Sequence, residues 1–184
     1  MKKVEHGKTF DRNAANPPAF EIFHNTVTEG YPKHWHTAIE IIMPTRGEYE
    51  VVVGKDSYNL KEGDIIMINS GVVHGMRFVS QGERIVMLVE PGCVENQEEM
   101  ETIFLRLPAI YFKKEDEEDP FYLFLRSQIL ELVREYDNEG AVMTHRICTG
   151  LKELFSEFGR KGFSDANAQN TFGAMKQQEY IEAG

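Results

Sequence analysis

The stretch His34-Trp35-His36-Thr37-Ala38-Ile39-Glu40, taken together with His74, decides how this chain is read. In an extended strand successive side chains point to opposite faces, so positions 34, 36, 38 and 40 share one face. Two imidazoles and a carboxylate then look into one space, and the small Ala38 leaves room between them. Trp35, Thr37, Ile39 and Ile41 take the other face. His74 follows the turn Asn69-Ser70-Gly71 and approaches from a neighbouring strand. A single histidine has ordinary explanations in packing or hydrogen bonding. Three histidines and a glutamate at this spacing make a donor set for a divalent transition metal such as zinc, nickel, iron or manganese, with coordination positions left open. The candidate metal ligands are His34, His36, Glu40 and His74. No separate acid–base residue declares itself, so no catalytic residue is assigned.

Working outward, the chain changes texture near residue 95. Before it, short apolar runs are punctuated by turn residues. Strands are expected at Phe20–Thr26, Ala38–Thr45, Glu48–Val53, Ser57–Leu60, Ile65–Ile68, Met76–Ser80 and Arg84–Glu90. Gly54-Lys55-Asp56 reads as the turn of a hairpin. Short strands at regular spacing predict an antiparallel sandwich or barrel. After residue 95 the period becomes helical. Asn96–Leu105 reads as a short helix. Asp119-Pro120 pairs an N-cap with a proline at the first helical position, and Leu125, Ile129, Leu132, Val133 and Tyr136 follow at helical spacing. A second helix carries Ile147, Cys148, Leu151, Leu154, Phe155 and Phe158 on one stripe and is expected to end at Gly159 and Gly162. Two such helices with a short connection form an antiparallel hairpin, which either packs on the barrel or serves a homodimer through residues 120–159. Residues 161–175 read as a linker, and a further helix begins beyond it.

The chain has 184 residues, a formal charge of −10 and 41% hydrophobic residues, which suits one globular domain with an appendage. The acidic balance argues against direct contact with nucleic acid, which needs clustered Lys and Arg. The run Lys114–Asp119 reads as a solvated loop. The two cysteines, Cys93 and Cys148, form no CxxC pair, so reduced thiols in a cytoplasmic protein are expected. The longest apolar run, Ile85–Val89, is far too short to span a membrane.

At this point a resemblance becomes specific. The segment from Gly30 through His34, His36 and Glu40 to Gly47 is similar to the first cupin motif. The segment from Gly63 through Asn69 and Gly71 to His74 is similar to the second. Three features depart from those motifs: Asn69 replaces a proline, Phe78 replaces an asparagine, and the spacer from Gly30 to His34 is shorter. The resemblance implies a mainly β fold, a cupin-like double-stranded β-helix (jelly-roll) barrel followed by a C-terminal antiparallel α-helical hairpin. The whole chain resembles the N-terminal half of AraC-type transcription regulators. That implies a barrel with an N-terminal arm at 1–95, a helical segment with a dimerisation hairpin at 96–160, and at 161–184 a linker and the start of a truncated DNA-binding region.

On this reading the barrel binds a small-molecule effector, a sugar being the family-level expectation. The arm from Thr9 to Phe20 closes over the pocket as a lid. DNA is contacted through a missing C-terminal part and not by this fragment. Tyr31, Trp35, Tyr49 and Tyr58 are candidate stacking residues. Arg77 and Arg84 are candidate forks for an anion, with a surface position expected for both. The alternative is a metal-dependent cupin enzyme, a dioxygenase, isomerase or decarboxylase. A third reading leaves the histidines as polar barrel lining without a metal.

Overall fold

The computed structural model describes residues 19–27, 29–93, 108–114, 118–138 and 140–161. Among the described residues nine strands come first: β1 Phe20–Val27, β2 Tyr31–His34, β3 Ile39–Arg46, β4 Tyr49–Val53, β5 Asp56–Leu60, β6 Ile65–Ile68, β7 His74–Phe78, β8 Gly82–Val89 and β9 Ala109–Phe112. Two helices follow, α1 Pro120–Asp137 and α2 Met143–Lys161. One antiparallel sheet has the order β1-β8-β3-β6-β9, and the other has the order β2-β7-β4-β5. The expected jelly-roll sandwich followed by a helical hairpin is the architecture found.

The two sheets differ in how they are buried, and their sequences differ accordingly. The first sheet is covered on both faces. Ile39, Ile41, Met43, Ile65, Met67, Ile85, Met87 and Val89 pack under Leu125, Ile129, Leu132, Leu151, Leu154, Phe155 and Phe158 of the helices. On the opposite face Ile42, Ile66, Ile68, Val86 and Leu88 meet Val51, Val53, Leu60 and Met76 of the second sheet. A strand covered on both faces reads as a continuous apolar run, as β6 and most of β3 and β8 do. In β5, Asp-Ser-Tyr-Asn-Leu, only Leu60 is fully buried.

Turn chemistry sets the register. Val53 pairs with Asp56, so Gly54 and Lys55 form a two-residue hairpin turn. Gly54 sits at φ 59°, a conformation that glycine adopts without steric cost. Gly82 is required for space. A Cβ there would lie 2.1 Å from the Arg46 carbonyl oxygen and 2.6 Å from the Tyr49 hydroxyl.

Some expectations shift. β2 was not expected as a separate strand, β7 begins at His74 instead of Met76, and α2 runs through Gly159 to Lys161. Residues 109–112, within the segment expected to be helical, form β9, paired to β6 from Ile65↔Phe112 to Ile68↔Ala109. Four residues carry too little periodicity to announce a strand. Buried Asp64 secures it by accepting from the Tyr111 hydroxyl at 2.6 Å and the Lys114 amide at 2.8 Å. The expected helix at 96–105, most of the arm and the linker lie outside the described residues.

The aromatic stripe of α2 is spent inside the chain. Leu151 and Leu154 are fully buried, and Phe155 and Phe158 are 1% exposed, all against the first sheet and α1. The stripe therefore packs on the barrel and is not itself free to form a dimer surface. The Tyr122 hydroxyl donates to the Gly63 carbonyl at 2.8 Å and fixes α1 to the barrel.

Candidate metal centre

The four candidate ligands come together, by a route different from the one expected. They do not share one strand. His34 ends β2 in the second sheet, Glu40 lies on β3 in the first, and residues 35–38 form the corner between them, with His36 just before the bend at Thr37 and Ala38. The corner is tied down at both ends. The Gly71 amide donates to the His36 carbonyl at 2.8 Å, and the Thr37 hydroxyl donates to Glu90 at 3.0 Å. His74 opens β7 directly opposite His34. One donor atom from each of His34, His36, Glu40 and His74 lies within 4.8 Å of the others. His36, Glu40 and His74 are buried, and His34 is partly exposed at the rim.

The imidazoles are oriented by the backbone. His34 Nδ1 lies 3.0 Å from the Pro32 carbonyl, His36 Nδ1 2.9 Å from that of Ala38, and His74 Nδ1 2.8 Å from that of Val72. A carbonyl oxygen only accepts, so each Nδ1 carries the proton and donates. Each Nε2 is thereby left as the ring's ligand atom, the usual device around a bound metal.

Glu40 makes the argument sharper. Its Oε2 lies 3.1 Å from His36 Nε2 and 2.7 Å from His74 Nε2. With both Nδ1 atoms already protonated, these contacts need either a second proton on each ring or a cation between the donors. Two imidazolium rings with centroids 5.0 Å apart repel each other in a poorly solvated place. A divalent cation replaces both protons and lets all four groups act as donors. The residues thus fit a metal of the zinc, nickel, iron or manganese class.

The same contacts shift the protonation of these groups. Burial pushes the Glu40 carboxyl upward. Hydrogen bonds and charge from His36 and His74 outweigh burial and bring it to about 2. Burial pulls His74 down, yet its bond to Glu40, the charge of Glu40 and the Val72 carbonyl together raise it. His34 is lowered by burial and by the neighbouring His74.

The other candidates separate clearly. Arg77 is exposed and pairs with Glu50 at 3.0 Å. Arg84 is 8% exposed and points into the barrel, against expectation. Its position follows from the strand: Arg84, Val86 and Leu88 alternate with Ile85, Met87 and Val89, which face the helices. Tyr49 is buried, Tyr58 packs edge-on against Tyr111, and Tyr31 and Trp35 are exposed near the rim. An open groove of about 310 Å³ runs outside β2 and β7, lined by Gly30, Tyr31, Pro32, Lys33 and Arg77 among others.

Residues 25–90 match the sequence model of the cupin domain family. Over that segment the chain is similar to a cupin domain. No curated protein matches the chain in sequence. Among solved structures, the AraC-like transcriptional activator CuxR superposes with a TM-score of 0.61 at 9% identity, over 82% of this chain and 55% of that one. ToxT from Vibrio cholerae superposes with a TM-score of 0.51 at 10% identity, over 79% of this chain and 58% of that one. The chain thus spans little more than half the length of either. These likenesses extend beyond the cupin domain and show a shared fold. Bacillus subtilis oxalate decarboxylase, whose Mn(II) centres were studied, matches over 39% of this chain and 21% of that one, at 18% identity and a TM-score of 0.36.

Proposed function

We propose that this chain is the effector-sensing and dimerisation part of an AraC-type transcription regulator. A small molecule binds within the cupin barrel, and a transition metal is held by His34, His36, Glu40 and His74. The observation that carries the reading is the superposition on CuxR across 82% of the chain, well beyond the 25–90 cupin segment. A cupin domain backed by a helical hairpin gives a regulator a pocket and a transmitting element in one core. When bound, the metal supplies a Lewis-acidic anchor for an oxygen of the effector. The chain's own residues orient it: three backbone carbonyls fix the imidazole tautomers, and Glu40 offsets the positive charge. Effector binding alters DNA occupancy only through different affinities for two states of the hairpin or dimer.

The reading is tested by the reading frame beyond the Gly184 codon and by a DNA-binding assay on its full product. An open frame encoding two helix-turn-helix units, with DNA affinity that shifts on effector addition, supports it. A stop codon at that point overturns it. A metal-dependent cupin enzyme is the second reading, favoured by three inward Nε2 atoms that leave coordination positions open to a substrate. Turnover by the metal-loaded chain in oxygenase, isomerase or decarboxylase assays would support that reading.

A further inference from the structure

Arg84 occupies an uncommon environment for a charged side chain. It lies on the barrel-facing side of β8, and on β3 its partner is Pro44, four residues along from Glu40. A buried guanidinium is ordinarily matched by acceptors, because an uncompensated charge in the interior costs several kcal/mol. Here Nη1 donates to the Met76 sulfur, and the guanidinium carbon stands 5.6 Å from the centre of the Tyr49 ring. Its Nε finds no acceptor among the described residues. Glu40 attracts it from a distance.

Two other unmatched groups lie beside it. The Tyr49 hydroxyl is buried, on a residue 1% exposed, and has no hydrogen-bond partner among the described residues. Asn25 sits directly opposite Arg84 on β1, so both side chains take the same face. Its Oδ1 is also buried and unpartnered among the described residues. These three are the buried side-chain polar atoms that lack a partner among the described residues, and strand pairing with Asn25 and the contact with the Tyr49 ring relate the other two to Arg84. Native interiors satisfy nearly all such atoms, so three orphans around one cation point to a ligand. Along β3 and β8 the buried pair Ile42 and Val86 separates Arg84 and its partner Pro44 from Glu40.

We propose that Arg84, Tyr49 and Asn25 form a second recognition site inside the barrel, for a small hydroxycarboxylate. The Arg84 Nε–H and the Tyr49 O–H donate to the carboxylate, a charge-assisted arrangement. Asn25 Oδ1 accepts from the ligand's hydroxyl. One cation with one further donor suits a monoanion better than a phosphate. The site stands on these three orphans, and holds whether the barrel serves a regulator or an enzyme.

The test is calorimetric titration of the metal-loaded chain with acetate and with glycolate, which differs by one hydroxyl. Saturable binding of both is expected, with glycolate tighter by about tenfold, the worth of one added hydrogen bond. Arg84→Met should weaken both at least tenfold, and Asn25→Ala should erase only the advantage of glycolate. Equal binding by wild type and Arg84→Met would place the anion on the metal or elsewhere and overturn the proposal. So would the absence of saturable binding to wild type. Should Arg84→Met fail to fold, Tyr49→Phe decides. Removing an unpartnered hydroxyl should leave the ligand-free melting temperature unchanged or higher, yet weaken glycolate binding. Unchanged glycolate affinity in that variant would overturn the proposal.

Discussion

At the scale of single residues, Glu40 is the centre of the barrel's polar chemistry. It is a carboxylate 4% exposed that accepts from two imidazoles. Its folded-state pKa of about 2 lies below the ordinary 4.5. A depressed carboxyl contributes stability that is fully present above 4.5 and is lost as pH falls toward 2. Glu40→Gln should therefore destabilise the metal-free protein by about 2–3 kcal/mol at neutral pH and flatten the acid limb of its unfolding curve. Chemical denaturation at stepped pH checks both effects. The same variant should weaken metal binding by at least about a hundredfold in competition with a chelator, since even outer-shell changes cost 10–100-fold. The four ligands were legible in the sequence because imidazoles and carboxylates in a tight pattern have few ordinary uses. Arg84 was not. An arginine in an alternating strand is normally solvated, and only its alternation with Ile85 and Met87, which pack under the helices, shows that its face is the interior one.

At the scale of elements, the corner between β2 and β3 and the helical hairpin carry the lessons. Period-two reasoning gave positions 34, 36 and 40 one face by assuming an unbroken strand. The chain bends at residues 35–38 and changes sheets, and the side chains still converge because the sandwich interior lies between those sheets. The hairpin's helices were legible from spacing and capping. The Asp119 carboxylate accepts from the Phe121 amide at 2.8 Å, as its place before Pro120 implies. Asp119→Ala should cost about 1 kcal/mol, read as a lower melting temperature with the fold intact. What covers each helix face was not legible. Leu151 is fully buried, so Leu151→Asp should unfold or unpack the chain at a cost above about 4 kcal/mol, and not yield a soluble monomer. Leu123 and Leu130 of α1 are 50% and 39% exposed. If α1 is the homodimer surface, Leu123→Asp with Leu130→Asp should keep the circular dichroism spectrum and move sedimentation to the monomer. An unchanged sedimentation profile would remove α1 from that role.

At the scale of the whole molecule, one first sheet is shared between two cores, so ligation inside the barrel and packing of the hairpin are mechanically connected. A metal that binds only the folded state should stabilise the whole chain by about 2.7 kcal/mol at a hundredfold excess over its dissociation constant. Hairpin and barrel should melt together, checked by scanning calorimetry with and without zinc or manganese. The three Nε2 atoms must be unprotonated to bind, so acid competes with the metal. The metal-dependent rise in melting temperature should be full near pH 8 and gone by about pH 5, below the histidine range. A rise that persists at that pH would place the metal on ligands other than these histidines.

The sequence by itself determined the order and type of most elements, the donor set and the two-helix tail, because each is written in local spacing: alternation, helical period, turn residues and caps. Tertiary structure alone decided which interior the donors face, that residues 109–112 close the first sheet, that the Phe155 stripe is consumed within the chain, and that Arg84 is buried with Tyr49 and Asn25. These are facts about which surface meets which. They arise where residues distant in sequence exclude water from one another, and no local pattern records the partner across that contact.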